Sequence, residues 1–295
     1  MANEHLSNNA LKIAATILGC VVMLLGAIVL LGWHIHSPLF IQVHPSFVPM
    51  QYNTALGFFF GGAGFLSLLK GWTRYSIGFN AIVAAVGILT LLEYILGIDF
   101  GIDELFMIHD ITVKTSHPGR MAPNTALCFT LAGISHIMIS GVIRRQKAGL
   151  IGGIFAALVV ALGLVALTGY ISGLETAYGW GRLTRMALHT SAGFVVLGVA
   201  GLTMAWRKKP EIESGLPTWV SAASGIFVLT VTISLWQAID AQTLIIEKKT
   251  GNQTDIIADD LMLIFGVMLA LAMALIINRA QEARQRALQA ERARA

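Results

Sequence analysis

Apolar and polar positions segregate along this chain into long blocks. Eight apolar runs lie at about 11–33, 53–70, 75–98, 122–142, 149–172, 187–206, 217–238 and 259–278. Each approaches the roughly 20 residues that a helix needs to cross a bilayer. Short polar stretches separate them. The pattern predicts an all-α polytopic membrane protein with eight transmembrane helices, not a large soluble core.

The even-numbered runs open alike. Met50-Gln51-Tyr52-Asn53-Thr54 leads to Phe58 and Gly62. Met121-Ala122-Pro123-Asn124-Thr125 leads to Phe129 and Gly133, and Met186-Ala187-Leu188-His189-Thr190 leads to Phe194 and Gly198. The copies stand roughly 70 residues apart, and a repeat at fixed spacing sets the architecture. The odd-numbered runs also close alike, on Gly32-Trp33, Glu93-Tyr94 and Gly169-Tyr170. Aromatics at such ends fit an interfacial belt. The first six helices therefore form three two-helix repeats in a pseudo-threefold packing, with runs two, four and six lining the middle. Gly61, Gly62, Gly64, Gly133 and Gly198 would permit close approach there. The division expected is a three-repeat bundle over 1–210, a transmembrane hairpin over 211–278 with a short outer loop at about 239–258, and a cytoplasmic exit helix over 279–295.

Composition agrees with the pattern. The chain has 295 residues, 56% hydrophobic and 12% charged, where a soluble domain carries about 25% charged residues. The net charge of +4 is spread over loops and tail, so no basic stripe points to nucleic acid. Fourteen Lys and Arg residues fall on the side of both termini and six on the other. The first group includes Lys70, Arg74, Arg144, Arg145, Lys147, Lys208, Lys209 and the tail arginines to Arg294. The positive-inside rule puts both termini in the cytoplasm. Cys20 and Cys128 lie inside apolar runs and form no disulfide or metal motif.

The last run does not stop at the membrane. Leu269, Met273, Ile276, Ala280, Ala283, Ala287 and Ala290 step by four and three, a heptad seam running from bilayer to cytoplasm. The seam predicts a parallel homodimer.

The polar chemistry gathers at the outer face. Asn53, Asn124 and His189 share one register and offer donors and acceptors. Helix capping or interhelical bonding is the structural alternative. Met50, Met121 and Met186 precede them by one turn, as packing residues or as ligands. Glu93 and Asp99 flank the outer end of helix three, and an acid near hydrocarbon is a functional candidate. These eight residues make up the expected ligand-binding set. His34, His36, His44, His109 and His117 could hold copper or zinc at the outer face, against a reading as ordinary loop residues. Haem needs histidines on facing helices, and His136 has no evident partner at its depth. No Walker loop, GxSxG elbow or HExxH is present, so the chain as it stands is expected not to be an enzyme.

The stretches Met50–Phe58, Glu93–Phe106 and His117–Phe129 resemble the multi-helix N-terminal membrane sensor regions of bacterial sensor histidine kinases and diguanylate cyclases. The plan, though not the motif, is similar to MHYT-type sensors, which repeat a Met-His pair; two of the three copies here carry Asn instead. The resemblance implies a signal-transducing input module in the bacterial inner membrane, surrounded by lipid. Its output would be a kinase or cyclase domain beyond the tail, or a response regulator of a two-component system. Two other classes stand beside it: a small-solute transporter or channel, and a haem- or copper-binding redox protein.

Overall fold

The computed structural model describes residues 2–111, 113–142, 148–208, 217, 219–251 and 257–292. Arg144, Arg145, Lys147, Lys209, Arg294, Asn252, Gln253 and the expected boundary at 210–211 lie outside them. The described residues form an all-helical chain of nine α-helices and one 3-10 turn. These are α1 (Ala2–His34), α2 (Pro38–Gln42), α3 (Tyr52–Leu69), α4 (Thr73–Leu96), α5 (Pro123–Ser140), α6 (Ala148–Ser172), the turn Glu175–Ala177, α7 (Leu188–Arg207), α8 (Trp219–Thr250) and α9 (Ile257–Arg292). Seven of them are long and apolar enough to cross a membrane. The eighth expected span, α5, is only 18 residues and carries Asn124, Thr125 and His136, which dilute its hydropathy.

The first six long helices close into a ring. Packing is most extensive within α1–α3, α4–α5 and α6–α7. Contacts of α3 with α4, α5 with α6 and α1 with α7 join these pairs. Inside the ring α3, α5 and α7 each touch the other two. Each pair is held by reciprocal glycines. A Cβ on Gly26 would lie 2.5 Å from the Ala55 oxygen, and one on Gly62 2.6 Å from the Met23 nitrogen. In the second pair Gly87 meets the Ala126 oxygen and Gly133 the Asn80 oxygen, both at 2.5 Å. In the third, Gly163 meets the Ser191 oxygen and Gly198 the Val160 nitrogen, both at 2.9 Å. Only a residue without a side chain lets backbones approach so closely.

This changes the expected role of Gly62, Gly133 and Gly198. They press each inner helix onto its own partner, while Gly64 faces Asn80 of α4 and Gly61 touches only Leu197. The middle is filled by rings instead. Phe58, Phe129 and Phe194 are fully buried, with centroids 5.0, 4.8 and 4.7 Å apart. Gly57 and Gly193 leave room for them, since a Cβ at either would lie 2.6–2.7 Å from a phenyl carbon.

Two elements differ from the expected boundaries. The first outer loop contains α2, opened by Pro38, a residue favoured at the first turn. The expected loop from 239 is helical through Thr250, and α8 runs 32 residues. Its polar residues Gln242, Glu247, Lys248 and Lys249 are tolerated in a helix; Gly251, with φ 72°, ends it. Outside the ring, α8 packs on α6 and on the 3-10 turn, and α9 packs on α8.

Candidate functional site

The outer end of the ring is where the repeated motifs sit. Trp33 Nε1 donates to the Met50 carbonyl at 3.0 Å, Tyr94 Oη to the Met121 carbonyl at 3.0 Å, and Tyr170 Oη to the Met186 carbonyl at 2.8 Å. The aromatics closing α1, α4 and α6 thus tie each helix pair at its outer mouth. Sequence reasoning placed them in an interfacial belt, and their polar atoms in fact serve the protein. The available signal was that an aromatic closes each of the three odd-numbered runs; its distance from the Met varies, at 17, 27 and 16 positions. The three methionine side chains are 0–1% exposed, within packed protein.

Helix caps fall on Gln51, Ala122 and Ala187, none with a side-chain cap bond. Asn53, Asn124 and His189 stand just inside the helices. Asn124 Nδ2 donates to the Tyr178 carbonyl at 3.3 Å, and its Oδ1 accepts from Thr125 N. Asn53 Oδ1 accepts from Thr54 Oγ1 at 3.5 Å, while Nδ2 is buried without a partner. Neither ring nitrogen of His189 has a hydrogen bond; the Ile41 backbone acts on the imidazole without bonding geometry. Among the described residues no hydrogen bond joins the three to one another. Asn124 and His189 reach the loops after α6 and α1.

Glu93 and Asp99 come together with two residues not singled out from sequence, Asp103 and Arg120. Arg120 Nε donates to Asp103 Oδ2 at 2.6 Å and lies 3.4 Å from Glu93 Oε2. Its Nη2 is 3.6 Å from Asp99 Oδ1, and its guanidinium stands over the Tyr94 ring at 5.5 Å. Glu93 Oε1 accepts from Phe100 N at 2.9 Å. Glu93, Asp103 and Arg120 are buried. The cluster clamps both ends of the loop 97–122 onto α4. Burial pushes the Asp103 carboxyl up to about 6, against the pull of the Arg120 hydrogen bond. Burial also works against the Arg120 charge, but Asp103 and Glu93 more than offset it, and its pKa is raised. Carboxylate oxygens of Glu93, Asp99 and Asp103 lie within 4.8 Å of one another, and the guanidinium among them answers their charge.

The histidines of the expected metal set go to separate partners. His109 is buried edge-on to Trp33 at 4.4 Å, and its Nε2 accepts from Tyr52 N at 3.1 Å. That bond places the proton on Nδ1, 3.7 Å from Glu104. Burial holds the His109 pKa below the ordinary value, against Glu104. His34 Nε2 meets Tyr52 Oη, His44 bonds Ser46, and His117 bonds Ser116. His36 is exposed with φ 52°. Among the described residues no group of three metal-ligating side chains includes a histidine. His136 bonds Asn80 Oδ1 at 2.9 Å rather than a second histidine.

The same loop spans the outer face. Lys114 pairs with Glu175 at 2.7 Å, and Ser116 and Thr184 exchange backbone-to-hydroxyl bonds of 3.2 and 3.0 Å. Arg185 also pairs with Glu175. Behind this contact, between the loop after α6 and the outer half of α8, opens a cavity of about 710 Å³. Asn124 reaches it, Leu162 and Val165 of α6 line its depth, and Arg182, Lys248 and Lys249 stand at its mouth. Thr176 Oγ1 donates to the Ala238 carbonyl at 2.5 Å beside it, pinning α8 to the 3-10 turn. Comparison with protein-family models, curated proteins and solved structures gives no match.

Proposed function

We propose that this chain is a membrane-embedded sensory input module, of the kind that precedes bacterial histidine kinases and diguanylate cyclases. It crosses the membrane eight times with both termini in the cytoplasm. Its first six spans form three helix-pair repeats, and a signal bound at the outer face is passed through α8 and α9 to an output domain. The observation that carries this reading is α9. It is one unbroken helix of 36 residues, about 54 Å long at 1.5 Å per residue. That exceeds the roughly 30 Å hydrocarbon core by several turns. Its seam residues Leu269, Ile276, Ala280, Ala283, Ala287 and Ala290 are exposed along this length, so a second copy can pair there. A weak Ala seam suits a switch, since a signal biases a bistable element by only a few kcal/mol.

The phenylalanine plug favours this reading over a channel. Three rings in van der Waals contact close the axis between α3, α5 and α7, and among the described residues no chain of ionisable groups crosses beside them. The test is cysteine cross-linking in membranes, one position at a time from 278 to 292. Cross-linking should rise and fall with the heptad and peak at 280, 283, 287 and 290. A flat profile would remove the dimeric exit helix and the signalling role with it.

A further inference from the structure

The cavity beside α8 has a polarity that specifies its occupant. Its mouth carries Arg182, Lys248 and Lys249, which make no ion pair among the described residues. Glu175, on the 3-10 turn beside the cavity, is already committed to Lys114 and Arg185. Below the mouth the lining is mainly apolar, from Leu162, Val165, Ala238, Ala241, Leu244 and Ile245, with Ser234 and Gln237 the polar residues of α8 among them. Along α8 one stripe faces the cavity, stepping from Ser234 through Ala238, Ala241 and Ile245 to Lys248. The 14 helical steps from Ser234 to Lys248 rise about 21 Å, more than the roughly 15 Å half-thickness of a hydrocarbon core. Leu162 and Val165 of α6 form the opposite wall. Three cations above a long apolar wall match an amphiphile with an anionic head. A small soluble anion would leave the apolar wall unmatched, and a neutral lipid would leave the cations unanswered. The volume of about 710 Å³ lies within the roughly 300–1,000 Å³ of ligand pockets.

We infer that this cavity binds an anionic phospholipid of the surrounding leaflet. Its phosphate is held by Arg182, Lys248 and Lys249, and one acyl chain lies between α6 and α8. The site occupies the joint through which α8 attaches to the ring, so an occupant sets the angle and height of α8, and α9 moves with it. That the lipid acts as a signal rests on the sensory reading above; the binding does not.

The test uses the full chain, purified in detergent and offered equimolar phosphatidylglycerol and phosphatidylcholine with matched acyl chains. Bound lipid is read by native mass spectrometry. Each basic side chain near an anionic surface contributes roughly fivefold, so the wild-type protein should retain phosphatidylglycerol at least about tenfold over phosphatidylcholine. The variant R182Q/K248Q/K249Q should lose that preference. R74Q/R284Q/R286Q, which removes equal charge from the opposite face, should keep it. A241W fills the apolar wall with the cations intact and should lower phosphatidylglycerol retention, which keeps the test decisive if the triple variant fails to fold. Equal retention of the two lipids by the wild type would overturn the proposal, as would full retention by R182Q/K248Q/K249Q. Thermal protection by inorganic phosphate or by palmitate equal to that from phosphatidylglycerol would overturn it too, assigning the cations to a free anion or a single-chain amphiphile. Lipid preference without heptad cross-linking of the tail leaves the site standing and removes the sensory role. Heptad cross-linking without lipid preference does the reverse.

Discussion

Arg120 shows how one residue decides what its neighbours do. A carboxylate buried alone near the membrane would be costly, and here two buried acids face one guanidinium. Asp103 Oδ1 is buried and unbonded, as is Glu93 Oε2. The pKa of Asp103, raised from 3.8 to about 6 by burial, means that the folded chain binds this proton more tightly than the unfolded chain. Its contribution to stability is therefore complete below the unfolded value and is lost as pH rises through about 6. D103N removes that dependence. Relative to wild type, the variant should gain unfolding temperature between about pH 4 and about pH 7.5, the difference corresponding to at most roughly 3 kcal/mol. Thermal unfolding in detergent at the two pH values measures it; a difference that is flat or falls with pH would show Asp103 ionised throughout. At this scale the sequence was informative about register and silent about direction. The shared offset marked Asn53, Asn124 and His189 as equivalent, but a side chain at a helix mouth can turn to the axis or to the next loop. The choice depends on loops whose path the motif does not encode. Asp103 and Arg120 were hidden for the same reason, since the partners stand 17 positions apart across a loop.

At the scale of elements, hydropathy made most of the helices legible, because a span in lipid must be apolar over its whole length. It was weakest for α5, which is enclosed by protein and can carry Asn124, Ser135 and His136, and for the ends of α8, where polar residues continue the helix into water. The glycine contacts were half legible. Gly62, Gly133 and Gly198 stood in the motif, but Gly26, Gly87 and Gly163 lie seven residues before Trp33, Tyr94 and Tyr170 and became visible as partners only through packing. The pairing implies different fates for two glycines of α4. At Gly87 a Cβ would meet the Ala126 oxygen at 2.5 Å and Thr130 Oγ1 at 2.6 Å, whereas at Gly78 nothing lies within 4 Å. G87V should splay α4 from α5 and lower the unfolding temperature well beyond the roughly 1–3 kcal/mol typical of overpacking, because backbone cannot yield as a side chain does. G78A should be neutral or stabilising by up to about 1 kcal/mol through helix propensity. Equal effects from both would show that α4 and α5 are not in close register.

At the scale of the whole molecule, the ring and the hairpin are held in different ways. Each ring helix is packed by a partner and by a neighbouring pair, and the closure of α1 on α7 leaves no open end. The described contacts of α8 with the ring are concentrated on α6 and the 3-10 turn, including Trp219 against Gly153 and Thr176 on Ala238. The α9 helix follows through α8, by Ser221 Oγ donating to the Ala274 carbonyl and by Gln281 reaching the Pro217 carbonyl. A ring that closes on itself should not need the hairpin in order to fold, and a hairpin attached along one edge is free to shift. Ending the chain after residue 208 tests this. Cys128 is fully buried beside the phenylalanine plug, whereas Cys20 is partly exposed on α1. In the shortened protein Cys128 should stay closed to maleimide and Cys20 should label as in the full chain, with the unfolding temperature lowered by only a few degrees, as for loss of about 1–2 kcal/mol in a domain of this size. Rapid labelling of Cys128 would mean that α8 and α9 complete the ring's core. The joint beside α8 would then be part of a rigid whole, with no freedom left for a ligand at Arg182, Lys248 and Lys249 to move the exit helix.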